Sequence, residues 1–163
     1  MSVKEKEKSM KSQSGLPEDA VNTIVERLSV FLADIHQLYI KTLAFHWNVE
    51  DERFAQLHEL FEEGYEELAD DLDEIAERIR QLGALAPGSV KKLSETTRLS
   101  DTEMTKNGDQ MIGTLAKDYE ALVKHIREDI ATAEKHGDPL TADILVKILG
   151  EYEKRAWMLR SHL

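Results

Sequence analysis

Residues 51–82 read DERFAQLHELFEEGYEELADDLDEIAERIRQL. Phe54, Leu57, Phe61, Tyr65, Leu68, Leu72, Ile75, Ile79 and Leu82 recur there in steps of three and four, the period of a helix with one buried face. The spacing predicts a helix over residues 51–82, ended by Gly83, Pro87 and Gly88. Upstream, Val21, Ile24, Leu28, Phe31, Leu32, Ile35, Leu38 and Tyr39 keep the same period as far as Trp47. Pro17 suits the first turn of that helix, and Glu18 and Asp19 complement the positive end of its dipole. Downstream, two more helices are expected over residues 109–136 and 139–162. They are divided by Gly137 as a C-cap glycine, Asp138 as an N-cap and Pro139 as a first-turn proline. The polar stretch 89–108 has room for one short helix. The fold class is therefore all-α: a four-helix bundle with one crossover and a short extra helix in the link between helices two and three.

Composition agrees. The 163 residues fit one domain, and eight glycines, three prolines and 6% aromatics argue against a turn-rich β sandwich. With no cysteine, disulfides, thiolate metal sites and cysteine nucleophiles are excluded, and a reducing, cytoplasmic setting is expected. No apolar run approaches the ~20 residues of a membrane span, and no leader pattern follows Met1. Residues 1–14 carry Lys4, Lys6, Lys8 and Lys11 among Glu5, Glu7 and serines, and are expected to form a mobile tail before a bundle over 15–163.

The formal net charge is −11, a poor balance for general nucleic-acid binding and a favourable one for attracting cations. Between Glu50 and Glu77 stand thirteen acids and one base, Arg53, so this one segment carries −12 and the rest of the chain nearly balances. Most acidic helix faces only meet solvent, so position on the helix decides the reading. With His58 at 0° and about 100° per residue, Glu62 falls near 40°, Asp73 near 60° and Glu77 near 100°, whereas the apolar stripe averages about −70°. These four side chains share one face, together with the small residues Ala55, Ala69 and Ala76.

His58 and Glu62 are one turn apart, as are Asp73 and Glu77, so either pair suits one cation. The two pairs lie about 22 Å apart along the helix, too far for one chain to bring them to the same ion. Two copies of the helix crossing antiparallel near Glu67 and Leu68 would join His58 and Glu62 of one chain to Asp73 and Glu77 of the other, and would do so twice by symmetry. His46, at the end of the first helix, can fold over to add a second imidazole. Two histidines and three carboxylates make a donor set suited to iron that leaves coordination positions open. The within-bundle Glu-x-x-His motif is absent, because no histidine has a glutamate three residues before it. Zinc-protease, phosphate-loop and Gly-x-Ser-x-Gly motifs are absent too.

His46-Trp47-Asn48-Val49, Phe54, Leu57-His58, Phe61-Glu62 and Asp73-x-x-Ala76-Glu77-Arg78 together resemble the signature of the Dps family, the ferritin-like mini-ferritins. The likeness covers the bundle from Leu16 to Leu163 and continues in Thr141-Ala142-Asp143-Ile144-Leu145 and Trp157-Met158. It implies a hollow homo-dodecamer with ferroxidase centres at two-fold interfaces. His46, His58 and Glu62 would come from one subunit, and Asp73 and Glu77 from its neighbour. Two irons per centre would be oxidised from Fe(II), preferably by hydrogen peroxide, and ferric oxide stored in the cavity. Trp47 resembles the family tryptophan beside the site that absorbs stray oxidising equivalents. Two departures are Glu62 where many members carry Asp, and Asp51 where many carry Gly.

The resemblance also makes Asp138 and Asp143 candidates for a three-fold iron-entry pore, against the plainer role of Asp138 as an N-cap. Lys4, Lys6, Lys8 and Lys11 look like the lysine-bearing N-termini through which some members bind DNA. Glu5 and Glu7 halve that charge, so DNA binding is expected to be weak and salt-sensitive, with nucleoid association only if the tail binds. His36 is expected to pack or make a local hydrogen bond, and His125, His136 and His162 to lie at the surface. Tyr152 and Trp157 read as core or interface anchors. The alternative functions are a nucleoid-compacting particle with secondary metal chemistry, and a metal-free helical scaffold.

Overall fold

The computed structural model describes residues 13–101 and 103–163. Five helices follow in order: α1 (Glu18–Asn48), α2 (Phe54–Gln81), α3 (Val90–Thr96), α4 (Gly108–Lys135) and α5 (Pro139–Arg160). There is no strand among the described residues, and no helix there is long and apolar enough to cross a membrane. The bundle is a pair of hairpins, α1 on α2 and α4 on α5, joined through the link that carries α3.

The first hairpin is antiparallel, with His46 beside His58 and Tyr39 beside Tyr65. Its interior is the apolar stripe: Leu57, Phe61, Leu68, Ile75 and Ile79 of α2 are fully buried against Ile24, Leu28, Phe31, Ile35, Leu38 and Phe45 of α1. Tyr152 of α5 completes the core, edge-on to Tyr119 at 5.0 Å and 6.3 Å from Phe31. The turn between α4 and α5 is built as its residues require: Gly137 takes φ +75°, and the Asp138 side chain accepts from the Thr141 N–H.

Charged side chains inside the bundle bolt the long link down. Arg98 donates its backbone N–H and Nε to the wholly buried Asp34 at 2.6 and 2.7 Å. Asp129 of α4 lies 2.6 Å from Arg27 Nε and 3.6 Å from Arg98. Burial pushes the Asp129 carboxyl up, and the two guanidiniums oppose that push. Lys41 Nζ reaches the Ser100 carbonyl at 2.8 Å and Asp118 at 2.6 Å.

α2 starts at Phe54, three residues later than expected, because Asp51 makes a turn of its own. Its Oδ1 accepts from the Arg53 N–H and Nε, both at 2.9 Å, and Arg53 also reaches Asp109 at 2.7 Å. Gly108 is tied to this turn, since a Cβ there would stand 2.5 Å from Leu57 Cδ1 and closer still to Asp51 Oδ2. The Arg53 side chain and N–H hold the Asp51 carboxyl down at about 2 against the ordinary 3.8. A lowered folded pKa contributes stability that is complete above the unfolded value and disappears as pH falls through the folded one. The melting-temperature deficit of Asp51→Asn should therefore be constant at neutral pH and close between pH 3.8 and about 2. A deficit unchanged across that window in thermal unfolding would show that the pairing has no such role.

Candidate metal centre

The short α1–α2 turn brings the first two imidazoles face to face. The rings of His46 and His58 stack with centroids 3.7 Å apart and 21° between planes. His46 Nδ1 lies 2.8 Å from the His58 carbonyl, and His58 Nδ1 lies 2.9 Å from the His46 carbonyl. A carbonyl oxygen only accepts, so Nδ1 carries a proton in both rings and Nε2 is the nitrogen left to face a metal. That is the tautomer a metal-ligating histidine needs, fixed by its other nitrogen.

Aromatic rings frame the pair. Phe54 stacks on His58 at 5.1 Å, and Tyr65 stands edge-on to His46 at 5.2 Å. The Tyr65 hydroxyl donates to Glu62 Oε1 at 3.4 Å, so one ring touches both Glu62 and His46. Desolvation, followed by the Glu62 and Glu66 carboxylates, raises the Tyr65 phenol, so it stays a donor. Phe54 and Tyr65 both belong to the apolar pattern. Phe54 departs from the core expected of it, being 48% exposed, and packs on the site instead. Their spacing, four before His58 and three after Glu62, was the available sign of these contacts.

His46 is buried, His58 and Glu62 are half-buried, and Asp73 and Glu77 are exposed farther along α2. The structure thus brings His46 and His58 together, connects Glu62 to His46 only by way of Tyr65, and leaves Asp73 and Glu77 apart. Among the described residues of one chain, no three His, Asp or Glu side chains are grouped to hold a metal ion. Two imidazoles and a carboxylate are donors of the kind a divalent iron ion takes. Trp47, next to His46, is 67% exposed.

A second acidic surface lies between α2 and α5. Glu63, Glu67, Asp70, Asp71, Glu74 and Glu151 line a cleft of about 400 Å³, shared with Lys147 and Arg155. Arg155 pairs with Glu67, and Lys147 reaches Glu74 at 3.1 Å. Asp71 is pushed up to about 7, chiefly by burial, with Tyr152 and Lys147 opposing and Glu151 and Glu74 adding to the rise.

Of the two pore candidates, Asp143 is exposed on α5, whereas Asp138 is 3% exposed and fully engaged. Arg78 Nη2 donates to both Asp138 oxygens at 3.0 and 2.9 Å, and the Thr141 hydroxyl donates at 2.5 Å. Burial would raise the Asp138 carboxyl, yet Thr141 and Arg78 together hold it below the ordinary value. Lys4, Lys6, Lys8 and Lys11 lie outside the described residues. At the surface, His136 caps α4 with Nδ1 on the Thr132 carbonyl, His162 reaches the Met158 carbonyl and His125 faces Glu128. Tyr152 is buried as expected, and Trp157 is 60% exposed.

Comparison with known proteins gives one consistent picture. Residues 25–163 match the family model described as a ferritin-like domain. The chain is 36% identical over 140 residues to DNA protection during starvation protein 2 of Bacillus anthracis, covering 86% of this chain and 96% of that one. The crystal structure of antigen TpF1 from Treponema pallidum superposes with a TM-score of 0.87 at 32% identity, over 92% of this chain and 97% of that one. A Dps protein from Vibrio cholerae, described as a member of a broad superfamily of ferritin-like diiron-carboxylate proteins, superposes with a TM-score of 0.89. It is 27% identical, over 93% of this chain and 95% of that one.

Proposed function

The chain belongs to the Dps family of ferritin-like proteins, and from that premise we propose that it is a ferroxidase and iron store acting at sites shared between two subunits. The observation that carries this reading is the tied imidazole pair, one helical turn from Glu62 on α2, while the remaining carboxylates of the stripe lie about 22 Å away. His46, His58 and Glu62 of one subunit, with Asp73 and Glu77 of its neighbour, hold Fe(II) as substrate. The Nδ1 bonds orient both rings, and Tyr65 steadies Glu62 through its hydroxyl. Trp47, exposed beside the site, is the nearest indole to take up a stray oxidising equivalent.

The reaction is a balanced two-electron step. Two Fe(II) ions each give up one electron, the O–O bond of hydrogen peroxide breaks, and two protons complete two waters. Paired oxidation leaves no single-electron product and so no hydroxyl radical. Ferric oxide then collects inside a hollow dodecamer, with the α2–α5 cleft and Asp143 supplying negative charge that concentrates cations. DNA is protected chiefly by removal of iron and peroxide. Direct DNA contact through Lys4, Lys6, Lys8 and Lys11 is weak and lost with salt.

The test is anaerobic: Fe(II) is loaded onto the assembled protein, hydrogen peroxide is added, and ferric absorbance is followed with a spin trap present. Rapid oxidation without trapped radical, and iron co-eluting with a large particle, is the expected result. Oxidation no faster than in buffer, with radical formed, would overturn the reading.

A further inference from the structure

α1 turns a third imidazole toward the same side of the bundle. His36 is half-buried, and among the described residues it makes no hydrogen bond or ion pair. It differs in this from the other histidines: His46, His58, His136 and His162 each place Nδ1 on a carbonyl, and His125 faces Glu128. The half-buried ring is thus open to a ligand from solvent.

What His36 faces is specific. With Asp73 it lines an open groove of about 410 Å³, walled by Leu72, by Leu93 of α3, and by the small Ala69 and Ala76. The pairing of 46 with 58 and 39 with 65 carries through the antiparallel hairpin to set residue 36 level with residue 68. Asp73 then lies about 7 Å farther along α2, and the groove opens on the face that also carries His58 and Glu62. An imidazole with no hydrogen bond within the chain and an exposed carboxylate, lining one groove, are donors for a first-row divalent cation.

We propose that His36 and Asp73 together hold a divalent transition-metal ion in this groove, as a receiving position for Fe(II) beside the shared oxidation site. The role assigned to the ion rests on the ferroxidase reading, because Asp73 is there also a ligand of that site. The binding itself is measurable without any oxidation.

The experiment titrates the assembled full-length protein with Co²⁺ under anaerobic conditions, by calorimetry and visible absorption. His36→Gln removes the ring, and His36→Phe keeps its volume without its nitrogens, so either variant decides the matter if the other fails to assemble. The expected result is that both lose one class of Co²⁺ site that wild type and His58→Gln retain. Isotherms of the His36 variants that overlay wild type, while His58→Gln loses Co²⁺, would overturn this proposal and leave the ferroxidase reading standing. Loss in the His36 variants with none in His58→Gln would do the reverse.

Discussion

Two inactive variants, assembled together, regain iron oxidation. A His58→Ala/Glu62→Ala subunit lacks the imidazole half of the site, and an Asp73→Ala/Glu77→Ala subunit lacks the carboxylate half. Each alone should oxidise Fe(II) no faster than buffer. At a two-fold interface between one of each, one of the two symmetric sites takes both damaged halves and the other takes both intact halves. Random co-assembly makes half the interfaces mixed, so about a quarter of the native sites return. The rate measured after joint refolding of an equal mixture should recover to that fraction. Mixing finished particles should recover nothing. Failure of the jointly refolded sample, or appreciable oxidation by either variant alone, would mean that the sites are not shared between subunits.

The second large effect concerns stability. Arg78, 5% exposed, sits next to Glu77 and ties the end of α2 to the start of α5 through Asp138 and Thr141. Asp138 is 3% exposed, so Arg78→Ala strands a buried carboxylate. Breaking such a pair from one side costs about 3–5 kcal/mol, because the buried charge keeps only its Thr141 hydrogen bonds and loses its counter-ion. Urea unfolding at fixed protein concentration should register a loss of that size. Replacing both members, Arg78→Met with Asp138→Ser, should recover much of it, since the stranded charge is gone and serine still caps the helix. A loss in the single variant below about 1 kcal/mol, the range of an exposed pair, would show that Asp138 finds water instead.

The fold was legible because α2 is so regular. Nine apolar residues at helical spacing set one face, and Gly137-Asp138-Pro139 marked the last turn, which the backbone follows residue for residue. The start of α2 was not legible, because an aspartate before a helix reads as a cap, and only the reach of Arg53 shows Asp51 closing a turn instead. The buried charges were hidden for a related reason. Asp34, Lys41 and Asp129 look like solvent-facing polar positions until the link is wrapped over them, and nothing local in a sequence says where residues 97–100 will lie. At the candidate site, the wheel grouped His58, Glu62, Asp73 and Glu77 on one face, as rise and rotation require. It could not show Phe54 leaving the core to stack on His58, or Tyr65 reaching Glu62, because both depend on ring positions across the hairpin rather than along one helix.

The bond pair between His46 and His58 spans only twelve residues, across the short turn that joins α1 to α2. Contacts of such low sequence separation close early, since little loop entropy opposes them. Both bonds are made between α1 and α2, with no partner from α4 or α5. Their rotamers are thus frozen when the chain folds rather than when a cation arrives, and an incoming ion meets donors whose orientational freedom has already been given up.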